Sequence, residues 1–283
     1  MTGLVYIIVG FGVVMLVYNA ALYRIRARIL HRLDACDAVE PLGLIDAAWA
    51  FAKECAATAA VLLAVPLGWV LPRCCSGSGT RGPLLLVHGW SLNRGCFWLL
   101  RRRLLHDGWG PACCFEYRSL SLDVEGAAAR LHIAVEEMRT AGSAQQPTAR
   151  SAQQPLMLVC HSLGGLVARY YVRRYPAPHV RRIITLGTPH GGTALAGLRR
   201  NRSHKLAPGS PFLATLSAAD RVPRQFDVIA VQSTFDAMIL PPRNAEYPGA
   251  FNVVVNDVGH NALLFSSKVY RLIAENLNAP MRR

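Results

Sequence analysis

Residues 156–176, LMLVCHSLGGLVARYYVRRYP, constrain the chain more than any other stretch. Leu156 to Cys160 form an unbroken apolar run, the signature of a strand buried on both faces. From Leu163 the pattern becomes helical, and it stops at Pro176. Only His161 and Ser162 separate the two. A strand that turns into a helix this abruptly brings the two elements nearly into contact. Gly164 and Gly165 remove side chains on the helix side, and Cys160 is small enough on the strand side. The same turn lifts the Ser162 side chain clear of the sheet, with the backbone N–H groups of a helix behind it.

The rest of the C-terminal two hundred residues repeats this alternation. Strands are expected at 84–87, 111–117, 182–186, 226–231 and 251–255, besides 156–160. Helical spacing is expected around 97–104 and over 124–139, 163–175, 211–218 and 266–277. Strands alternating with helices imply an α/β fold, a mainly parallel sheet with helices on both faces. The pentapeptide SAQQP occurs at 143–147 and again at 151–155. It is too polar to build a core and reads as a surface loop.

The first 82 residues differ in kind. Gly3 to Leu22 run twenty positions without a charge, long enough to cross a bilayer as a helix. No positive segment precedes it and no small-residue cleavage site follows, so an uncleaved anchor is favoured over a signal peptide. Arg24, Arg26, Arg28 and Arg32 follow at once and favour a cytosolic flank. A second uncharged run covers 55–72, interrupted by Pro66 and Gly68. If it spans, the chain makes a hairpin and everything after Arg73 lies in the periplasm of a bacterium, outside the inner membrane. If it is a buried or interfacial helix, the first run alone leaves the C-terminal part in the cytosol. The expectation carried forward is one or two N-terminal transmembrane helices in an anchor region, 1–82, and a periplasmic domain, 83–283, joined by the linker SGSGTRG at 76–82.

The 283 residues include 31 basic and 17 acidic ones, for a net charge of +14. Only Lys53, Lys205 and Lys268 are lysines. The arginine excess fits either a GC-rich genome or attraction to anionic lipid headgroups. The arginines fall in short clusters without a nucleic-acid motif, so no nucleic-acid partner is expected. Eight cysteines include the adjacent pairs Cys74-Cys75 and Cys113-Cys114. Their spacing matches no zinc site. Buried thiols are the default in the apolar run around Cys113, and the sequence cannot assign disulfides.

A serine becomes a nucleophile when a base takes its proton and a third group orients that base. For a serine on such an elbow the partners follow in the order acid, then histidine. Asp236 lies in the turn after the fifth apolar run (STFDAMILPP), and His260 after the sixth (VGHNALLFS). Both fall at the C-terminal ends of strands, where an open parallel sheet gathers its site. Asp227 competes with Asp236. His88, His161, His190 and His204 compete with His260. The backbone N–H groups of Leu163 and Trp90 are the candidates for an oxyanion hole.

LLLVHGW, CHSLGG, TLGTPHGGT, STFDAMILPP and VGHNALLFS together resemble bacterial lipases and esterases of the α/β-hydrolase superfamily, and are similar to the lipase-like domain of membrane enzymes that deacylate lipid anchors. The resemblance covers roughly residues 83–277. It implies the α/β-hydrolase fold, an ester or lipid substrate, no cofactor, and a Ser162–Asp236–His260 triad within the elbow Cys160, His161, Gly164 and Gly165. Cys160 departs from the family's first elbow glycine, but relatives with alanine or cysteine there are compatible with activity. The segment 194–224 is short for a lid. Asn261, Ala262 and Leu263 follow His260 in place of the aspartate with which some relatives bind calcium, so no metal is expected. An acyltransferase, thioesterase or amidase would use the same triad, and an inactive interaction module would keep only the fold.

Overall fold

The computed structural model describes residues 2–33, 42–75, 81–145, 155–198, 204–219 and 225–281. Helices α1 (Thr2–Arg32), α2 (Leu44–Leu63) and α3 (Leu67–Val70) lead into strand β1 (Cys74–Cys75). There follow β2 (Leu84–Val87), α4 (Trp98–His106), β3 (Ala112–Phe115), α5 (Val124–Gln145), β4 (Leu156–His161), α6 (Leu163–Arg174) and β5 (Val180–Leu186). The chain ends with α7 (Pro211–Ala219), β6 (Asp227–Ser233), β7 (Phe251–Val255) and α8 (Ser267–Asn278). The strands form one sheet in the order β1-β3-β2-β4-β5-β6-β7. Every pairing is parallel except that of β1 with β3.

The period-two rule of a strand sorts the core onto two faces. Leu84 and Leu86 of β2 face Leu100 and Leu104 of α4 and Val269, Ile273 and Leu277 of α8. Leu85 and Val87 face Leu131 and Val135 of α5, Leu166 and Val167 of α6, and Leu213 and Leu216 of α7. Each such side chain, fully buried, contributes roughly 1.5–3 kcal/mol. The mainly parallel sheet covered on both faces is therefore as the sequence implied. At the sheet's N-terminal edge Arg182 of β5 pairs with Asp227 of β6 at 2.5 Å, both buried. One outer strand, β7, keeps Phe251 and Val254 exposed.

The second uncharged run packs against the α/β body. It is the end of α2, a turn at Pro66, and α3. Ala50, Glu54, Ala57, Thr58 and Val61 recur at helical spacing and are buried on one face of α2. Ala57 and Val61 belong to the same core as α4 and α8. Asn93 donates to Val65 O, Arg94 to Leu71 O and Arg101 to Pro72 O. β1 then pairs with β3 and carries a disulfide, Cys74–Cys113. Residues 44–75 thus join the α/β body, ahead of the linker at which the sequence placed the boundary. The sequence misleads here because small apolar residues suit a tightly docked helix as well as a bilayer. Cys113 departs from the expected buried thiol, whereas Cys114 is one. Among the described residues one helix, α1, is long and apolar enough to cross a membrane. The last two residues of the first SAQQP copy and the first four of the second, within 146–154, lie outside the described residues, as do 76–80 of the linker and 199–203 and 220–224 of the short segment expected in place of a lid.

Candidate active site

Ser162 sits between β4 and α6 with φ 53° and ψ −125°. A non-glycine residue in that region is strained, and such strain persists only where surrounding structure enforces it. Here Ser162 N donates to Leu186 O (2.9 Å), and Thr188 Oγ1 donates to Ser162 O (2.9 Å). The side chain makes no cap bond to α6. The helix crosses so close to β2 that a Cβ on Gly164 would lie 2.3 Å from Val87 O and 2.6 Å from His88 O. A Cβ on Gly165 would lie 2.1 Å from Thr188 Oγ1. Cys160, in the place of the customary strand-side glycine, is fully buried in the core beneath α5 and α6.

Asp236 and His260 come together although 24 residues apart: His260 Nδ1 and Asp236 Oδ2 are 2.7 Å apart. Both are buried, at 1% and 5% exposure. The other carboxylate oxygen of Asp236 accepts from Met238 N (2.6 Å) and Ile239 N (3.1 Å). The carboxylate is therefore fixed by its own turn and directed at the imidazole. Burial alone would lower the His260 pKa, but the Asp236 carboxylate outweighs it and raises the ring above its ordinary value. Gly187, with φ 56°, makes room for the pair: a Cβ there would lie 3.1 Å from Asp236 Oδ2 and 3.2 Å from His260 Nδ1.

The rivals are occupied elsewhere. Asp227 holds Arg182 at the opposite edge of the sheet. Asp257 bridges Lys53 and Lys268. His88 spends both ring nitrogens, on Gly89 O and on Glu116. His190 sits beside Thr185 Oγ1 and stacks on Tyr247. His204 lies in a short turn at 204–206. His161 does enter the site, its ring 4.8 Å from that of His260 and its Nε2 3.1 Å from His260 O. Burial, then the neighbouring His260, hold its pKa well below the usual value, which suits a neutral spacer.

The loop after β2 passes over the serine. A Cβ on Gly89 would lie 2.8 Å from Ser162 Cβ, so the chain just ahead of Trp90 runs against the elbow. Sequence reasoning missed how the TPHGGT segment braces the acid turn. Thr193 Oγ1 donates to Met238 O (2.7 Å) and accepts from Leu240 N (3.1 Å), and Gly191 N donates to Asn244 O (2.7 Å). It also missed Glu54, whose carboxylate accepts from the amides of Asn261 and Ala262.

A family model described as a domain of unknown function (DUF7379) matches residues 73–206. The chain is similar to the mature form of the lipase BlEst2 from Bacillus licheniformis, with a TM-score of 0.56 and 17% identity, covering 70% of this chain and 92% of that one. It is similar to the Paleococcus ferrophilus monoacylglycerol lipase, with a TM-score of 0.52 and 17% identity, covering 71% and 96%. A third likeness is to the lin2722 product of Listeria innocua, with a TM-score of 0.51 and 16% identity, covering 70% and 94%. At these identities the likeness establishes the fold, and the fold is that of the α/β-hydrolases.

Proposed function

We propose that the protein is a membrane-anchored serine hydrolase of carboxylic esters, of lipase or esterase type. The observation that carries this reading is the 2.7 Å Asp236–His260 pair, set on the sheet edge that also holds a strained, half-buried serine. With Nδ1–H given to Asp236, the tautomer leaves His260 Nε2 as the acceptor for the serine proton. Ser162 Oγ attacks the ester carbonyl as His260 takes that proton. The oxyanion receives N–H bonds from Leu163 and Trp90, aided by the positive end of α6. Collapse expels the alcohol, which takes the proton back from His260, and leaves an acyl-serine. Water, deprotonated by His260, then releases the acid.

The substrate class follows from α1. Tyr6, Ile7, Ile8, Val13, Val14 and Val17 are all more than half exposed, which suits a lipid surround. One face of α1 is buried from Met15 onward, where Asn19 meets Thr58 of α2. Acyl lipids or related esters in that membrane are the proposed substrates.

A body on the oxidising, periplasmic side of the membrane is part of this proposal. With α2 docked, the hairpin no longer supports that side, and the arginines behind α1 favour the other. The Cys74–Cys113 disulfide supports the periplasm, because such bonds persist in oxidising compartments. Arg26 is also spent on carbonyls of the fold.

The test compares wild type with Ser162→Ala on p-nitrophenyl esters from short to long chain, in detergent and in vesicles. Removing a serine nucleophile costs on the order of 10⁶ in turnover. Equal inertness of both proteins across all chain lengths would refute the reading.

A further inference from the structure

The inward faces of α1 and α2 carry polar side chains that a plain anchor has no use for. Asn19 is fully buried in α1. It donates to Met15 O (2.9 Å) and accepts from Thr58 Oγ1 of α2 (3.4 Å). Thr58 Oγ1 accepts from Asn261 Nδ2 (3.1 Å), one residue past His260. One turn along α2 lies Glu54, 2% exposed. Its two oxygens accept from the backbone amides of Asn261 (3.0 Å) and Ala262 (2.9 Å). The loop closes around this carboxylate so tightly that a Cβ on Gly259 would lie 2.3 Å from Glu54 Oε2. The acid turn is gripped from α1. Tyr23 Oη donates to Phe235 O (2.9 Å), Arg26 Nε to Asp236 O (3.2 Å), and Arg26 Nη2 to Thr234 O (2.7 Å).

We infer that Glu54 and Arg26 are positioning residues for His260 and Asp236, so that the apolar N-terminal helix, besides anchoring the chain, belongs with α2 to the catalytic framework. This rests on reading Ser162, Asp236 and His260 as the reacting site.

A buried carboxylate is expensive, and an apolar side chain of similar size would serve packing better. Burial pushes the Glu54 carboxyl up to about 7 despite its two amide bonds. Such a cost is expected where it supports function. The groups facing His260 are Asp236 from the acid turn, His161 from β4 and Glu54 from α2. Tyr23, Asp236 and Cys55 in turn surround Glu54. When His260 gains the serine proton it becomes a cation, and a charged Glu54 favours that form as Asp236 does.

The test uses the full chain in detergent micelles, as wild type, Glu54→Gln, Arg26→Gln and Arg26→Lys. It records kcat/KM for an ester against pH, the rate of Ser162 labelling by a fluorophosphonate, and Tm. A glutamine turns one N–H donor toward a loop amide and removes the charge. The Glu54→Gln plateau is expected to fall on the order of 10- to 100-fold, the scale of a misplaced reacting group. Its acidic limb is expected to move to lower pH, because a charge that adds to Asp236 in raising His260 is gone. Arg26→Gln should lose a comparable factor, and Arg26→Lys, which keeps a donor to the same carbonyls, should recover most of it. An unmoved limb with equal rates for both Arg26 variants overturns the positioning role, as does a loss that vanishes when assayed well below each variant's Tm. If Glu54→Gln does not fold, the Arg26 pair decides alone. A wild type that neither turns over ester nor takes the label overturns the hydrolase reading, and the positioning role with it. An active wild type with unperturbed variants sinks the positioning role only.

Discussion

Replacing Asp236 by asparagine isolates what its carboxylate does for His260. The two oxygens of Asp236 are not equivalent. Oδ1 accepts from Met238 N and Ile239 N, and Oδ2 faces His260 Nδ1. An asparagine must keep its carbonyl oxygen toward the two backbone donors, because the reverse orientation sets an NH₂ against two N–H groups and forfeits two hydrogen bonds, about 1 kcal/mol each. Its NH₂ is thereby forced onto His260 Nδ1, which must become an acceptor. The ring proton moves to Nε2, and the base can no longer take a proton from Ser162. Elsewhere this tautomer error costs about 10⁴ in kcat, which is roughly 5 kcal/mol of barrier. The assay is p-nitrophenyl ester turnover at saturating substrate, with circular dichroism to show the fold intact. A folded Asp236→Asn variant within tenfold of wild type would refute the argument, since either Asp236 would not orient the base or His260 would not be it.

Gly164→Ala pushes a methyl into Val87 O and His88 O, both backbone atoms that cannot swing aside. A loss of about 1–3 kcal/mol is expected, read as a fall of several degrees in Tm, with activity falling further because the elbow moves. Glu54 gives stability a pH slope. Its folded pKa, about 7, lies above the ordinary 4.5, so the folded state binds more protons between those values, and stability falls as pH rises from 4.5 to 7. The full effect is about 3 kcal/mol, and urea melts at pH 5 and 7.5 should show Glu54→Gln losing that slope. Cleaving Cys74–Cys113, which closes a loop with a sequence separation of 39, should cost about 4 kcal/mol, seen as a lower midpoint in urea with reductant. A mobility shift on reduction of protein trapped directly from cells checks the compartment, and a fully reduced cellular pool would contradict the periplasmic placement.

The sheet and the nucleophile turn were legible because their signals are local. Leu156 to Leu166 encodes strand, turn and helix within eleven residues. Asp236 and His260 were legible by order, since strand ends gather at one edge of a parallel sheet. β1 was invisible, because two residues form a strand only by virtue of β3 lying beside them. The run 55–72 was ambiguous for a different reason. Ala57 and Val61 carry no mark that tells a protein interior from a bilayer. The mark that does lies nearby, in Glu54, a carboxylate at the very spacing that continues their face. Its partners are 207 and 208 residues away, so no local pattern could announce them. Thr193 hid in the same way, its role set by a turn 45 residues on.

The two margins of the sheet are unequal. One is closed by β1 and a covalent bond to β3. The other is β7, which among the described residues pairs with β6 alone and carries the exposed Phe251 and Val254. β7 leads into the loop of His260, whereas Ser162 rises from β4 at the centre. Free energies of local opening are smallest at such uncovered margins. The loop that follows β7 does not share this exposure, because Glu54 and Thr58 of α2 hold Asn261 and Ala262, so loosening at this margin is expected to begin at Phe251 and to stop short of His260, which a hydrogen-exchange profile along 251–264 would show.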